Sequence, residues 1–163
     1  MFIIMMGVSG SGKTTIGKAV AGQLGCRFYD GDDFHPSPNV AKMAAGIPLT
    51  DKDRAGWVAA LAALIQRGLE NGESGVIACS ALKEKYRQAL RVDAGQVKFV
   101  YLKGSYEVIL VRMQNRDAHY MKPAMLQSQF ETLEEPQDVL TIDITLTPDV
   151  IVRNIMEHLK NPC

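Results

Sequence analysis

Residues 2–14, FIIMMGVSGSGKT, form the stretch that decides the fold of this chain. An apolar run at Phe2–Met6 leads directly into Gly7–Thr14, which matches the pattern GxxxxGK[ST], and an amphipathic helical pattern follows. The glycines let backbone N–H groups turn inward around phosphate oxygens, and the start of the next helix adds the positive end of its dipole. This strand, loop and helix therefore predict a site for the phosphates of a nucleotide.

The polar side chains of this loop have distinct predicted tasks. We expect Lys13 to reach the β and γ phosphates of ATP, and the hydroxyl of Thr14 to bind Mg²⁺. The other predicted cofactor-binding residues of the loop are Gly7, Ser9, Gly10, Ser11 and Gly12. The alternative is a glycine-rich turn that matches the pattern by chance, and the flanking strand and helix disfavour it.

The composition predicts one domain over residues 1–163. Hydrophobic residues make up 47% of the chain, and 18 Lys and Arg balance 18 Asp and Glu, so we expect no basic surface for nucleic acid or for an anionic membrane. The opening MFIIMM is too short for a signal peptide or a membrane span. The protein is therefore predicted to be cytoplasmic, and the wide spacing of Cys26, Cys79 and Cys163 predicts reduced thiols.

Short apolar runs alternate with helical patterns, which favours an α/β fold with a parallel sheet. The predicted strands are Phe2–Met6, Arg27–Tyr29, Gly75–Cys79, Lys98–Leu102 and Leu140–Ile144. The predicted helices are Thr14–Leu24, Lys52–Asn71, Leu82–Arg91, Tyr106–Arg116, Ala124–Thr132 and Asp149–Lys160. Thr50, followed three residues later by Asp53, resembles a capping box at the start of the second helix.

Three carboxylates and a histidine follow the second predicted strand, in FYDGDDFHP at residues 28–36. In a parallel sheet the segments after the strands meet at one edge, so Asp30, Asp32, Asp33 and His35 are expected beside the phosphate loop. A hydroxyl that accepts a phosphoryl group needs a carboxylate to orient it and take its proton, and Mg²⁺ needs oxygen ligands. The alternative is a solvated acidic turn, which Asp-Gly sequences often form.

Two pairs of basic residues are predicted near the same edge. Lys83 and Arg87 are four residues apart on a predicted helix, and Arg112 and Arg116 have the same spacing on a later helix. Both pairs could be solvated. For the later pair, the polar DAHYMKP that follows favours a mobile lid over about 116–123 that brings arginines to the transferring phosphoryl group. The earlier pair suits a small anionic substrate.

Six blocks between about Met6 and Pro136 carry a family resemblance. They are GVSGSGKT, DGDDFHP, NVAKMAAGIPLTDKDRAGW, CSALKEKYRQALR, VYLKG and HYMKPAMLQSQFETLEEP. Together they resemble the bacterial-type gluconokinases, P-loop kinases that transfer the ATP γ-phosphoryl group to the 6-hydroxyl of D-gluconate. The resemblance implies a five-stranded parallel sheet of order 2-3-1-4-5 flanked by helices, as in shikimate and nucleoside monophosphate kinases. It also implies ATP and Mg²⁺ as cofactors and a homodimer.

The resemblance implies roles for single residues, many of them in a substrate-binding segment at about 30–57. It assigns Asp30, with Thr14, to the Mg²⁺ shell and Asp32 to the acceptor hydroxyl as catalytic base. The implied gluconate-binding residues are Asp32, His35, Arg54, Lys83, Arg87 and His119. Arg112 would bind ATP, and Arg116 would act in catalysis with Lys13. The segment Ile142–Pro148 would lie near adenine.

The chain departs from the family pattern in two places. Ala55–Trp57 lacks the proline that relatives often place before the tryptophan, which touches no proposed contact. The third strand, GVIAC, lacks the terminal Asp of a usual Walker B motif. The predicted metal site therefore depends on Thr14 and Asp30.

Other acceptors and other functions stay open at this point. The acceptor could be a related sugar acid, shikimate or adenylylsulfate, although shikimate kinases lack the DGDDFHP block and adenylylsulfate kinases have a different acceptor segment. DRAG at Asp53–Gly56 fits the DxxG of a GTPase switch, but no apolar strand precedes it and no NKxD motif occurs. A catalytically inactive nucleotide sensor is disfavoured because the proposed base, metal and lid groups are all present.

Overall fold

Parallel strands form the centre of the structure, a computed structural model that describes residues 1–114 and 123–160. The strands are β1 (Phe2–Met6), β2 (Arg27–Asp30), β3 (Gly75–Ala78), β4 (Val97–Lys103) and β5 (Leu140–Asp143). They form one five-stranded sheet in the order β2-β3-β1-β4-β5. All neighbouring pairs are parallel, and Phe2 lies opposite Gly75 on one side and Val97 on the other. The predicted sheet and its order are confirmed.

Helices connect the strands. They are α1 (Lys13–Leu24), α2 (Ser37–Ala44), α3 (Asp51–Glu70), α4 (Glu84–Leu90), α5 (Tyr106–Gln114), α6 (Pro123–Thr132) and α7 (Pro148–Lys160). Helix α2 was not predicted, because the prolines on either side of Ser37 are typical of a loop, whereas here Pro38 lies in the first turn of the helix. Within the described residues, the ends of the other elements differ from the predicted ones by about two residues or less.

The side chains of β1 alternate between two hydrophobic layers, one on each face of the sheet. Ile3 and Met5 pack into the layer that contains buried residues of α1, α5, α6 and α7. Phe2, Ile4 and Met6 pack into the layer that contains buried residues of α3 and α4. Since both faces of a central parallel strand are covered, its sequence must be apolar throughout, which explains FIIMM.

The carboxyl ends of β1, β2 and β3 bring three segments of the chain to one edge of the sheet. After β2 the chain forms a 3-10 turn at Gly31–Phe34. A β-carbon at Gly31 would lie 2.5 Å from the carbonyl oxygen of Ala78, so only glycine allows this turn to cross the end of β3. The phosphate loop is joined to the segment after β3, since the N–H of Gly7 donates to the carbonyl of Ser80 at 3.3 Å.

The long helix α3 begins at the predicted capping box. The N–H of Asp53 donates to the Thr50 hydroxyl at 3.2 Å, and the N–H of Thr50 donates to Asp53 Oδ2 at 2.8 Å. This cap fixes the first turn of α3, which carries Asp51 and Arg54, next to the same edge of the sheet. Among the described helices, none is both long enough and apolar enough to cross a membrane.

Candidate active site

The phosphate loop, Gly7–Thr14, takes its shape from left-handed backbone at three glycines. Gly7, Gly10 and Gly12 have φ values of 142°, 80° and 98°, which a residue with a β-carbon rarely adopts. A β-carbon at Gly7 would also lie 2.8 Å from the carbonyl oxygen of Leu102. Of the two glycines in the sequence pattern, Gly7 is therefore required by both conformation and space, and Gly12 by conformation.

Ser11 provides an observation that fits an anionic ligand. Its residue is 1% exposed, and its hydroxyl is buried with no hydrogen-bond partner among the described residues. A buried hydroxyl without a partner costs about 1–3 kcal/mol. A phosphate oxygen held by the loop would supply an acceptor for it, so the loop fits the phosphates of a nucleotide.

Lys13 lies in the phosphate loop and near the acidic turn after β2. Its Nζ donates to the carbonyl of Val8 at 2.9 Å, so the side chain folds back along the loop. Burial lowers the pKa of Lys13, and the negative charges of Asp32 and Asp30 oppose that change. The lysine therefore lies close enough to both carboxylates to interact with them electrostatically.

Asp30 and Thr14 form the best candidate metal ligands. Thr14 Oγ1 donates to Asp30 Oδ2 at 3.4 Å, while Asp30 Oδ1 accepts the N–H of Asp32 at 3.2 Å and so caps the 3-10 turn. A hydroxyl and a carboxylate are oxygen donors of the kind that Mg²⁺ prefers, with phosphates and water completing its shell. Within residues 1–114 and 123–160, no group of three or more His, Cys, Asp or Glu side chains could hold a metal alone. The donor set fits an ion that is bound largely through phosphate.

His35 is fixed under the exposed carboxylate of Asp32. Its ring stacks on Trp57 with centroids 4.4 Å apart, and its Nε2 lies 4.0 Å from Asp32 Oδ1. Asn39 Nδ2 donates to the carbonyl of Asp53 at 2.8 Å and lies 3.3 Å from His35 Nδ1. Because Asn39 is the donor, a neutral His35 carries its proton on Nε2, toward Asp32. Burial lowers the pKa of His35, which favours that neutral form.

Arg54 and Lys83 belong to a charged group that we call the Asp51 cluster, which also contains Asp51, Lys85 and Tyr86. Lys83 Nζ lies 2.9 Å and Lys85 Nζ 2.5 Å from the Asp51 carboxylate, and the Tyr86 hydroxyl also donates to it. These donors hold the pKa of Asp51 far below its usual range. The Arg54 guanidinium lies 5.9 Å from the centre of the Tyr86 ring. With three cations and one carboxylate, the cluster suits an anionic substrate.

The cluster and the acidic turn form one connected surface. The positive charge of Arg54 disfavours the protonated forms of both His35 and Lys83, so Arg54 lies near both side chains. Asp32, His35, Arg54 and Lys83, which were predicted as substrate-binding residues, are thus brought together by the structure. Their combination places the Asp32 carboxylate near Lys13 of the phosphate loop and Arg54 near both His35 and Lys83.

Arg87 departs from the prediction. The residue is only 1% exposed, and its Nη1 donates to the carbonyls of Ala81 and Leu82 at 3.0 and 3.1 Å. Its Nε donates to Glu84 at 2.8 Å. Moreover, α4 begins at Glu84, so Lys83 precedes the helix and does not share a helical face with Arg87. The arrangement makes Arg87 a support for the segment that carries Lys83 and does not fit direct contact with a substrate.

Of the predicted lid arginines, the structure describes Arg112. Its guanidinium donates to the carbonyl of Ile144, just after β5, and so lies beside the segment predicted to be near adenine. Arg116 and His119 fall in 115–122, outside the described residues, and their roles stay predictions.

Three residues of this surface were not predicted from the sequence to belong to the site. Asn39 is 3% exposed and joins His35 to the start of α3. Asp51 and Tyr86 form the centre of the cluster that holds Lys83. The motif LTDKDR contained a signal for Asp51, which directly follows the helix cap. The signal for Tyr86 was its place between the two basic residues Lys85 and Arg87.

Comparisons with known proteins agree with this geometry. The sequence profile described as shikimate kinase matches residues 9–160. The chain is 50% identical over 145 residues to the thermosensitive gluconokinase of Escherichia coli, covering 86% of this chain and 78% of that protein. It is 40% identical over 162 residues to the gluconokinase of Gluconobacter oxydans, covering 98% and 91% respectively. The crystal structure of a gluconokinase from Sinorhizobium meliloti matches with a TM-score of 0.87 and 42% identity, covering 97% of this chain and 90% of that one.

Proposed function

This chain belongs to the shikimate kinase family and, within it, to the gluconokinases, and from that premise we propose that it phosphorylates D-gluconate at the 6-hydroxyl with ATP. The products are 6-phospho-D-gluconate and ADP. The observation that supports this function best is the meeting of the phosphate loop, the acidic turn and the Asp51 cluster at one edge of the sheet. A nucleotide, a base and an anionic acceptor would each find matching groups there.

The phosphate loop and Lys13 act on the nucleotide. Backbone N–H groups of the loop hold phosphate oxygens, and the start of α1 adds the positive end of its dipole. The Lys13 ammonium exchanges its bond to the Val8 carbonyl for the β and γ phosphate oxygens. Because burial weakens its hydration, the lysine interacts strongly with charge that develops on these oxygens.

We include Mg²⁺ in this proposal, with Thr14 and Asp30 as the residues that hold it. When bound, the ion neutralises negative charge on the β and γ phosphate oxygens. Thr14 and Asp30 are already within 3.4 Å of each other, so little rearrangement is needed for both to face one ion. Asp30 also holds the N–H of Asp32 and therefore connects the metal site to the proposed base.

Asp32 acts on the acceptor. Its side chain is 78% exposed and extends from a turn whose backbone is fixed by Asp30 and by the indole of Trp57, which donates to the Gly31 carbonyl at 2.7 Å. Asp32 accepts a hydrogen bond from the 6-hydroxyl and takes its proton as the new bond to phosphorus forms. His35 Nε2 lies 4.0 Å from Asp32 Oδ1, so a small movement of either side chain would let its N–H donate to the carboxylate and orient it toward the substrate.

Arg54 and Lys83 hold the other end of the acceptor. A guanidinium matches the carboxylate of gluconate, and the Lys83 ammonium can bind carboxylate and hydroxyl oxygens. Asp51 keeps Lys83 in place before substrate arrives, and its oxygens can accept hydrogen bonds from sugar hydroxyls. Arg112 would contact ATP from the end of β5, and the proposed lid at about 116–123 would supply Arg116 and His119.

The test is a coupled assay of ADP formation with purified protein and a panel of acceptors. We expect turnover with D-gluconate to exceed that with other aldonates, shikimate and adenylylsulfate, and to require Mg²⁺. The phosphorylated position is then read from the ³¹P–¹H coupling of the product. A clear preference for another acceptor, or a product phosphorylated at another hydroxyl, would contradict the proposal.

Two further parts of the proposal come from the resemblance and the sequence. A homodimer is proposed from the resemblance to gluconokinases, and light scattering of the purified chain tests it. A cytoplasmic location stays a prediction, which fractionation of the source cells would check.

A further inference from the structure

Helix α6 contacts the phosphate loop through the side chain of Gln129. Gln129 Oε1 accepts the backbone N–H of Ser9 at 2.6 Å. Ser9 is followed by Gly10, against which α5 packs so closely that a β-carbon there would lie 3.0 Å from both Ile109 and Met113. The first half of the loop is thus held by side chains of α5 and α6. This contact plays no part in the chemistry proposed above.

Five residues after Gln129, the same segment contacts the acceptor side of the site. The backbone N–H of Glu134 donates to the carbonyl of Leu82 at 2.9 Å. The Glu134 carboxylate accepts the N–H of Glu84, the first residue of α4, at 2.7 Å. Glu134 therefore bonds to the residues on both sides of Lys83, and Arg87 supports the same Leu82 carbonyl from within the protein.

We propose that Gln129 and Glu134 are positioning residues with separate targets. Gln129 orients the phosphate loop for ATP, and Glu134 orients Lys83 for the acceptor. The assignment of Lys83 to gluconate rests on the proposed function, whereas the assignment of Gln129 depends only on nucleotide binding. Six residues of one segment thus align the two halves of the site.

The physical reason lies in the backbone groups that each residue fixes. With its N–H held by Gln129, Ser9 has a set peptide plane, and the following loop N–H groups keep the direction needed for phosphate oxygens. A carboxylate at the start of α4 pairs with an otherwise unbonded N–H and with the positive end of the helix. Loss of that bond frees the residue next to it, Lys83, to leave the acceptor.

Gln129→Met tests the first assignment, because it removes the acceptor atom and keeps side-chain length. We expect the affinity for ADP, measured by calorimetry without an acceptor, to fall about tenfold, the size of one well-formed hydrogen bond. The KM for ATP should rise by a similar factor, and the KM for gluconate should stay within twofold. The matched control is Gln127→Met, since Gln127 lies exposed on the same helix and donates to Glu131 at 2.9 Å; we expect no change in that variant.

Glu134→Ala tests the second assignment. We expect the KM for gluconate to rise about tenfold, with ADP affinity unchanged, because a charge-assisted hydrogen bond is lost beside Lys83. Glu134→Gln keeps an oxygen that can accept the Glu84 N–H and should restore most of the loss. The control is Glu135→Ala, because the neighbouring carboxylate pairs instead with Lys103 at 2.8 Å.

The outcomes separate this inference from the proposed function. Unchanged ADP affinity in Gln129→Met, or an equal effect of Gln129→Met and Glu134→Ala on both KM values, would overturn the inference. A lower melting temperature with both KM values unchanged would overturn it as well, since the residues would then be structural only. If wild-type protein phosphorylates a different acceptor, the proposed function fails, and the KM for that acceptor replaces gluconate in the same comparison.

Discussion

The phosphate loop and the Asp51 cluster lie at the same edge of the sheet but are built in opposite ways. The loop is eight consecutive residues whose groups for binding phosphate are mostly backbone N–H, shaped by Gly7, Gly10 and Gly12. The cluster is made of side chains from α3 and from the segment at 83–86, more than twenty residues apart along the chain. One site depends on local conformation, and the other depends on how distant segments pack.

This difference predicts different responses to mutation. In the loop, one side chain, Lys13, adds charge to a surface that is otherwise backbone. In the cluster, Lys83 and Lys85 share the Asp51 carboxylate, and Arg54 is a third cation, so we expect the loss of one positive charge to be partly offset by the others. A single substitution should therefore be most damaging at Lys13 and at Asp32, to which the proposal gives tasks in phosphoryl transfer itself, and less damaging within the cluster.

Lys13→Ala should have the largest effect. We expect the rate of phosphoryl transfer to fall by about 10³-fold or more, because loss of a positioned cation removes stabilisation of the transferring group in a site of low dielectric. The fold should survive, since the hydrogen bond that the Lys13 ammonium makes with the described residues is to the Val8 carbonyl of its own loop. Turnover under saturating substrates and the far-ultraviolet circular dichroism spectrum check both points. Normal turnover would disprove the nucleotide site.

Asp32→Asn should reduce kcat by about 10²-fold, the lower part of the range for a lost base, because a loose transition state needs little early proton removal. The affinity for ADP should be nearly unchanged. Steady-state turnover at saturating gluconate measures the effect, with Asp33→Asn as the control in the same turn. If Asp32→Asn kept more than about half of the wild-type kcat, Asp32 would be a binding residue and not a base.

Arg54→Met should act on binding more than on rate. We expect the KM for gluconate to rise about 30-fold with a small change in kcat, because a charged hydrogen bond to the substrate is lost while Lys83 remains. Lys52→Met, at an exposed position of the same helix, is the control and should behave as wild type. Equal losses in kcat and in kcat/KM would show that Arg54 acts on the transition state, and the contrast with Asp32 would disappear.

Arg87→Met should affect stability. Removing the buried guanidinium takes a donor away from the Ala81 and Leu82 carbonyls, of which Leu82 keeps the N–H of Glu134. We expect the free energy of unfolding to fall by about 3 kcal/mol. Arg91→Met removes a guanidinium that is partly exposed and 3.9 Å from Glu84, and it should cost less than about 1 kcal/mol. Urea denaturation compares the two. If Arg87→Met left the stability unchanged and raised the KM for gluconate far more than Arg54→Met does, Arg87 would contact the substrate directly, as the sequence predicted.

His35 should produce the smallest effect, a change in the pH dependence of stability. Burial lowers its pKa from the usual value of 6.5, so protons bind the unfolded chain more readily than the folded one. The stability contributed by neutral His35 is complete above that value and is lost as the pH falls through it toward the lower pKa of the folded state. When the pH is lowered from 7.5 to 5.5, the melting temperature of His35→Gln should therefore fall less than that of the wild type. His158→Gln, at an exposed residue, should follow wild type.

The sequence predicted some parts of the site because their signals are local. The phosphate loop is a continuous pattern, and the apolar run of β1 identifies a strand that is buried on both faces. The capping box of Thr50 and Asp53 also lies within four residues. In each case neighbouring residues alone set the conformation, so no knowledge of the rest of the fold was needed.

Other parts could not be predicted from the pattern. The spacing of Lys83 and Arg87 indicated one shared helical face, but α4 starts between them, and Arg87 points inward to carbonyls of the preceding turn. Likewise, the prolines around Ser37 hid α2. Whether a basic side chain is a ligand for a substrate or a buried support depends on which backbone groups lie within its reach, and only packing decides that.

By itself, the sequence determined the alternation of strands and helices, the phosphate loop and the presence of carboxylates after the second strand. It did so because each of these features is set within a few residues of the chain. The spacing of apolar residues indicates a strand or a helix, glycine permits the loop conformation, and the polar residues directly follow the end of a strand. Only the tertiary structure decided that Asp51 holds Lys83, that Asn39 sets the proton of His35, and that Gln129 and Glu134 reach the two halves of the site. Those contacts join residues far apart in the chain, and their geometry follows from how the helices pack on the sheet.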